Sequence, residues 1–200
     1  MRVLFVGCHC DDIELGCGAT INKHKDDWEI FCVCFSRTGP FGTLKQLKKQ
    51  SEDALKHLGA SYIKHLDYPT NDFWIHRQNI WESLNDLNSE INPDLIFSHM
   101  SDEHQDHVVL FEETIRNFKE KNVLCYKPTL AYGMSHCWNY IEKISRLNLD
   151  VKIEACKFFK DYLNKVYFDP NVIESQARIM GANSLTEIAE AFQVYRIIKH

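Results

Sequence analysis

The sequence predicts an α/β protein, a Rossmann-like three-layer sandwich around a mostly parallel sheet. Three observations carry that prediction. Short apolar runs of strand length recur at Val3–Val6, Ile30–Phe35, Tyr62–Leu66, Leu95–Ser98 and Thr129–Tyr132. Helix-compatible stretches separate most of them, the alternation of a parallel sheet with helical crossovers. The chain has 200 residues, enough for one domain over 1–200 with a single core.

The elements follow in order. Val3–Val6 opens the chain as a buried strand, and Gly18–Lys25 supplies the first helix. In Ile30–Phe35, Cys32 and Cys34 alternate with Phe31, Val33 and Phe35, a core strand pattern. Leu44, Leu47, Leu55 and Leu58 stand at helical spacing over Leu44–Leu58, and Gly59 follows where a left-handed cap is needed. Ile75, Ile80, Trp81, Leu84 and Leu87 do the same over Trp74–Ile91, and Pro93 breaks the chain before the strand at Leu95. Beyond Tyr132 the pattern predicts a strand at Tyr140–Ile144, helices around Lys152–Val166 and Pro170–Met180, and a last strand at Phe192–Ile198. There is no internal repeat and no low-complexity linker.

Composition narrows the function classes. A net charge of −5 offers no broad basic surface, and Lys45, Lys48 and Lys49 read as one helix face, so nucleic acid is not an expected partner. No segment approaches the ~18 consecutive apolar residues of a membrane span. Met1-Arg2 leads at once into a strand that carries polar site residues, so the expectation is a cytoplasmic protein without a cleaved signal. Its eight cysteines then read as reduced, mostly buried thiols. Cys8-x-Cys10 finds no Cys-x-x-Cys partner pair, which disfavours a thiolate zinc site there.

The first strand runs into Gly7-Cys8-His9-Cys10-Asp11-Asp12-Ile13-Glu14, one imidazole and three carboxylates at a sheet's carboxyl edge, where α/β enzymes gather their chemistry. A second polar group, His104-Gln105-Asp106-His107, follows the strand at Leu95. Catalytic zinc takes three protein ligands and leaves a fourth position for water, and His9, Asp12 and His107 form such a set. The bland alternative is a helix cap at Asp11-Asp12 supported by Glu14, with histidines that are merely surface or core. Gly16-x-Gly18-x-x-Ile21 lacks the third glycine of a dinucleotide fingerprint, which counts against a dinucleotide-dependent oxidoreductase.

The two groups together resemble a known pattern. His9-Cys10-Asp11-Asp12-Ile13-Glu14-Leu15-Gly16-Cys17-Gly18 is similar to the His-Pro-Asp-Asp-x-Glu-x-Gly-x-Gly signature of the zinc-dependent N-acetylglucosaminyl deacetylases of the PIG-L/LmbE type, and His104–His107 matches that family's His-x-Asp-His element. Looser likenesses, Ser36-Arg37-Thr38-Gly39, Lys49-x-x-Glu52, Asn92-Pro93-Asp94, Ser175-Gln176 and Ala189–Phe192, extend it over nearly the full chain. The resemblance implies an LmbE-like fold and an amidohydrolase that removes acetate from an N-acetylated sugar, free, nucleotide-linked or glycosidic. His9, Asp12 and His107 would hold Zn2+, with other divalent transition metals left open. Asp11 would be the general base, and His104 would stabilise the oxyanion and protonate the leaving amine. Asp106 would orient an imidazole, Glu14 would support the loop, and Gly16 and Gly18 would ease the turn into the helix. Lys49 stands where the family has arginine, so its grip on a substrate oxygen would lack the bidentate fork. Cys10 replaces the usual proline or alanine and adds an oxidisable thiol. The alternative is a homologue that binds sugar or nucleotide without turnover. Substrate contacts are expected from Thr38–Thr43, Pro69–Trp74 and Gly133–Trp138, where Phe41, Phe73, Trp74 and Trp138 could stack on a sugar; oligomeric state is left open.

Overall fold

A computed structural model of the protein describes residues 1–36, 44–100, 104–129 and 138–198. Among these, the strands are β1 (Arg2–Gly7), β2 (Glu29–Ser36), β3 (Tyr62–Tyr68), β4 (Leu95–His99), β5 (Asn122–Tyr126), β6 (Tyr140–Lys143) and β7 (Ala189–Arg196). The helices are α1 (Asp12–His24), α2 (Leu44–Leu58), α3 (Arg77–Ile91), α4 (Gln105–Asn117), α5 (Arg146–Cys156) and α6 (Pro170–Ala182). One sheet runs β3-β2-β1-β4-β5-β7-β6; the first five strands are parallel, and β7 and β6 continue it antiparallel.

The period-2 alternation of β1 explains the layering. Val3 and Phe5 enter a core shared with α1, α2 and α5, whereas Leu4 and Val6 enter one shared with α3 and α4. Each helix turns its apolar stripe to the sheet: Leu47, Leu55 and Leu58 from α2, Ile80, Leu84, Leu87 and Ile91 from α3. Gly59 ends α2 at φ +105°, its N–H bonded to the Leu55 carbonyl at 3.1 Å, so the expected left-handed cap is there. Asn92 does the same for α3 at φ 46°. Among the described residues no helix is long and apolar enough to cross a membrane.

Several boundaries differ from expectation. The strand paired with β4 is Asn122–Tyr126 rather than Thr129–Tyr132; Thr129 lies beyond it, and residues 130–132 fall outside the described set. Helix α1 starts at Asp12, six residues before the expected Gly18, because it is buried on nearly every side and has no polar face to betray its period. Gly16 and Gly18 therefore sit inside a helix and ease no turn. A Cβ on Gly16 would stand 2.2 Å from Cδ2 of Tyr126, so the residue makes room for that ring. The helix expected over Lys152–Val166 is instead α5, ending at Cys156, followed by 3₁₀ turns at Lys160–Tyr162 and Val166–Phe168.

The order β3-β2-β1-β4-β5 places the topological switch between β1 and β4. The chain leaves β1 toward one edge and returns through β4 toward the other, opening a crevice at their carboxyl ends. His9–Asp12 and His104–His107 are the segments that follow those two strands.

Candidate metal and active site

Beyond Gly7 the chain turns tightly, the N–H groups of Asp11 and Asp12 both donating to the His9 carbonyl at 3.0 and 3.4 Å. That turn starts α1 with Asp12. On the β4 side, His104 caps α4, its Nδ1 accepting the Asp106 N–H at 3.2 Å. The first turn of α4 then carries Asp106 and His107 back over the exit of β1.

Three donor atoms converge there. His9 Nδ1 lies 3.3 Å from His107 Nε2 and 3.5 Å from Asp12 Oδ2, and His107 Nε2 lies 3.7 Å from Asp12 Oδ2. Ligand atoms about 2.1 Å from a tetrahedral ion stand about 3.4 Å apart, so the three edges suit one face of a zinc-sized tetrahedron. The other nitrogen of His9, Nε2, lies 3.2 Å from Asp106 Oδ2. Asp106 is itself fixed by the N–H groups of Asn71 at 2.7 Å and Phe73 at 3.3 Å. A proton held on Nε2 leaves the Nδ1 lone pair facing Asp12 and His107, the tautomer an ion needs.

Asp12 is the most constrained carboxylate. Oδ2 accepts the His9 N–H at 2.6 Å and lies 3.0 Å from His99 Nε2. His99 was not singled out in the sequence, yet it is fully buried and stacks on His107 at 4.0 Å between ring centroids. The hydroxyl of Tyr126 and the N–H of Cys8 crowd the same Nε2, at 3.3 and 3.0 Å, while His99 Nδ1 is buried without a hydrogen-bond partner. Cys8, Asp12, His99 and His107 also present donor atoms within 4.8 Å of one another.

The electrostatics separate two adjacent aspartates. Burial pushes both up, but His99, His107 and His9 surround Asp12 and hold it well below the usual carboxylate range. Asp11 has burial and the neighbouring Asp12 charge against it, only partly offset by His9 and Lys165, and is pushed up to about 7. Burial alone lowers His9, yet Asp12, Asp106 and Asp11 outweigh it and raise the imidazole to about 10 in the metal-free protein. Asp106 is raised by burial but lowered overall by His9, Asn71 and Phe73. The Asp11 side chain makes no capping hydrogen bond, so the helix-cap alternative does not account for it. Glu14 is buried away from this group, accepting the Ser51 hydroxyl at 2.7 Å.

His9, Asp11, Asp12, His104 and His107 line one cleft of about 150 Å³. That volume suits a small substituent better than a whole sugar. Thr70 and Asn71, from the expected Pro69–Trp74 loop, form one wall, and Tyr162, Lys165 and Tyr167 form another. Tyr162 and Lys165 carry no site signal in the sequence because they fall in Lys152–Val166, which it presents as helix. Phe73 is fully buried, with its ring 6.4 Å from that of His9, while Trp74 is exposed. Phe41 and residues 133–137 lie outside the described set, and Trp138 borders a different cavity. Lys49 does not line the cleft; its ammonium pairs with Asp53 on the exposed face of α2, beside a separate surface depression.

A doubly wound sheet whose switch point gathers imidazoles and carboxylates defines an α/β protein with side chains that could hold a metal ion. Within that class, the chain belongs to the GlcNAc-PI de-N-acetylase (PIG-L) family, whose model matches residues 4–118. YaiS of Escherichia coli K12, described as an uncharacterized deacetylase, is 25% identical over 166 residues, 79% of this chain and 90% of YaiS. The N,N'-diacetylchitobiose deacetylase of Pyrococcus horikoshii superposes with a TM-score of 0.77 at 21% identity, over 96% of this chain and 83% of that one. GalB, the 4-carboxy-2-hydroxymuconate hydratase of Pseudomonas putida KT2440, gives 0.79 at 17% identity, over 100% and 98%. At such identities the two structures speak to the fold alone, and one of them is described as a hydratase. Family and deacetylase relatives together support an N-deacetylase enzyme.

Proposed function

We propose that the protein is a zinc-dependent amidohydrolase that removes the acetyl group from an N-acetylated amino sugar or sugar conjugate. The observation that carries this reading is the triangle of His9 Nδ1, Asp12 Oδ2 and His107 Nε2, with edges of 3.3 to 3.7 Å, beside an uncapped Asp11 in the same cleft. His9, Asp12 and His107 would hold the ion. When bound there, zinc supplies Lewis acidity and lowers the pKa of a coordinated water to about 7.

The chain's own residues do the rest. Asp11, one residue from Asp12 and facing the cleft, takes a proton from the attacking water. His104 keeps its proton on Nε2 because Nδ1 accepts the Asp106 N–H, and so serves as a donor to the developing oxyanion. The proton that Asp11 takes from the water is the one returned to the leaving amine, with His104 as imidazolium passing it on. Asp106 fixes the ring of His9, and Glu14 ties α1 to α2 through Ser51. Tyr162, Lys165 and Tyr167 close the far wall of the cleft.

The pairing of Asp11 and His104 in one cleft counts against a homologue that only binds. Acetate release across a panel of N-acetyl sugars and nucleotide sugars, with metal analysis, tests the reading. Asp11→Asn should keep its metal and lose on the order of 10²–10⁴ in rate, whereas His107→Ala should lose the metal. Unchanged turnover in Asp11→Asn would overturn the mechanism, and absence of acetate release with hydration of an unsaturated acid would overturn the reaction.

A further inference from the structure

A second cluster of ligand-type side chains lies beside the first and takes no part in the proposed chemistry. Cys34 on β2 and His65 on β3 are direct partners in the parallel ladder. On its other side Cys34 pairs with Gly7 of β1, and the loop that follows Gly7 brings Cys10 to it. The two sulfurs lie 3.5 Å apart, and one donor atom from each of Cys10, Cys34 and His65 lies within 4.8 Å of the others. Sulfurs bound about 2.3 Å from a tetrahedral ion stand about 3.8 Å apart, so the pair needs to open only by a few tenths of an ångström.

The imidazole is the informative member. Two buried thiols in contact are ordinary core packing, but His65 also carries a buried Nε2 without a hydrogen-bond partner. Burial and the nearby Lys48 hold its pKa down to about 4, so the ring is neutral at neutral pH with a lone pair available. A disulfide would engage the sulfurs alone and do nothing for the imidazole; an ion engages all three side chains. Both cysteines are buried while His65 is partly exposed, which gives an ion its way in. The competing contacts of the Cys34 thiol, to the carbonyls of Cys8 and Ser36, are long at 3.7 Å each.

We propose that Cys10, Cys34 and His65 form a site for a thiophilic divalent ion of the Zn2+ type, separate from the His9–Asp12–His107 cluster. On binding, the two thiols release their protons to solvent, two thiolate–metal bonds and one imidazole–metal bond form, and water takes the fourth position. The ion pins Cys10, and with it the turn that carries His9 and Asp11. The sequence pointed away from such a site because its three ligands come from β2, β3 and the loop after β1, and no Cys-x-x-Cys spacing announces them.

The test is anaerobic titration of the reduced, metal-free full-length protein with Co2+, followed by thiolate-to-cobalt charge-transfer absorption in the near ultraviolet. Imidazole and carboxylate ligands give no such band. Expected is a band that saturates at one ion per chain, survives in Cys8→Ala and in His107→Ala, and disappears in Cys34→Ala. In His65→Gln, at a partly exposed position that tolerates the change, Co2+ affinity should fall on the order of tenfold or more. No thiolate band at saturating cobalt would overturn the proposal, as would a band lost with Cys8 in place of Cys34, or one unchanged in His65→Gln. Survival in His107→Ala keeps the result independent of the proposed catalytic centre.

Discussion

Glu14→Gln gives the sharpest test of the electrostatics beneath the candidate site. The Glu14 carboxyl is 1% exposed, and burial raises its pKa to about 8 from an ordinary 4.5, against the pull of the Ser51 hydroxyl. A carboxyl whose pKa is higher in the folded state holds its proton longer there than in the unfolded chain. The stability linked to it is therefore complete below the unfolded pKa and is lost as pH rises through about 8. Integrated between about pH 5.5 and about pH 8.5, at 1.36 kcal/mol per unit, the loss comes to about 3 kcal/mol. Glutamine keeps an oxygen for Ser51 and has nothing to ionise, so the variant escapes that loss. Urea unfolding of metal-free wild type and Glu14→Gln at the two pH values measures it. Asp11, raised to about 7, and His9, raised to about 10, are present in both proteins, so the larger part of their own titration drops out of the difference. The variant should gain about 3 kcal/mol on wild type from the lower pH to the higher one. A difference that stays within about 1 kcal/mol would mean that Glu14 ionises in the fold and that the burial argument fails.

Two further outcomes follow from contacts at the site. Gly16→Ala drives a Cβ to 2.2 Å from a Tyr126 ring whose hydroxyl is tied to the Val6 carbonyl at 2.8 Å. Overpacking of about 1–3 kcal/mol should outweigh the helix propensity of alanine, read as a fall in urea midpoint, and displacement of Tyr126 from His99 should weaken metal affinity as well. Lys165 lines the cleft with its ammonium 3.4 Å from the Tyr162 ring centroid, and its charge lowers Asp11. Lys165→Met should therefore move the acid limb of kcat/KM to higher pH, and an unmoved limb would separate Lys165 from the base.

Much of the fold was legible because β1, β2 and β4 are apolar and regular. Leu44–Leu58 matched its helix at both ends since a leucine stripe and a following glycine mark it, the one by period and the other by φ. Helix α1 was legible only in its second half: a helix buried all round lacks the polar face that reveals the period, and Asp12 and Glu14 in its first turn look like loop. Strand β5 was missed because its buried Val123–Tyr126 stretch is only four residues long, and the Thr129 region has the same apolar look. Tertiary pairing with β4 chose between them.

At the site, residue types and spacing pointed to His9, Asp12 and His107, and the family resemblance added Asp11 and His104, but spacing alone cannot rank two adjacent aspartates. Their difference is built by the fold. Three imidazoles arrive around Asp12 from the β1 exit, the end of β4 and the first turn of α4, while Asp11 meets burial and a like charge and is left facing the cleft. His99 has no sequence signal because it is the last residue of a buried strand, where a histidine reads as packing. It becomes informative only when the parallel register of β1 with β4 sets it against Cys8 and Asp12. The sheet order that opens the crevice therefore also supplies the charge that separates the two carboxylates. A change in the β1–β4 register would reach the proposed chemistry through Asp12 before it touched any residue lining the cleft from the far wall.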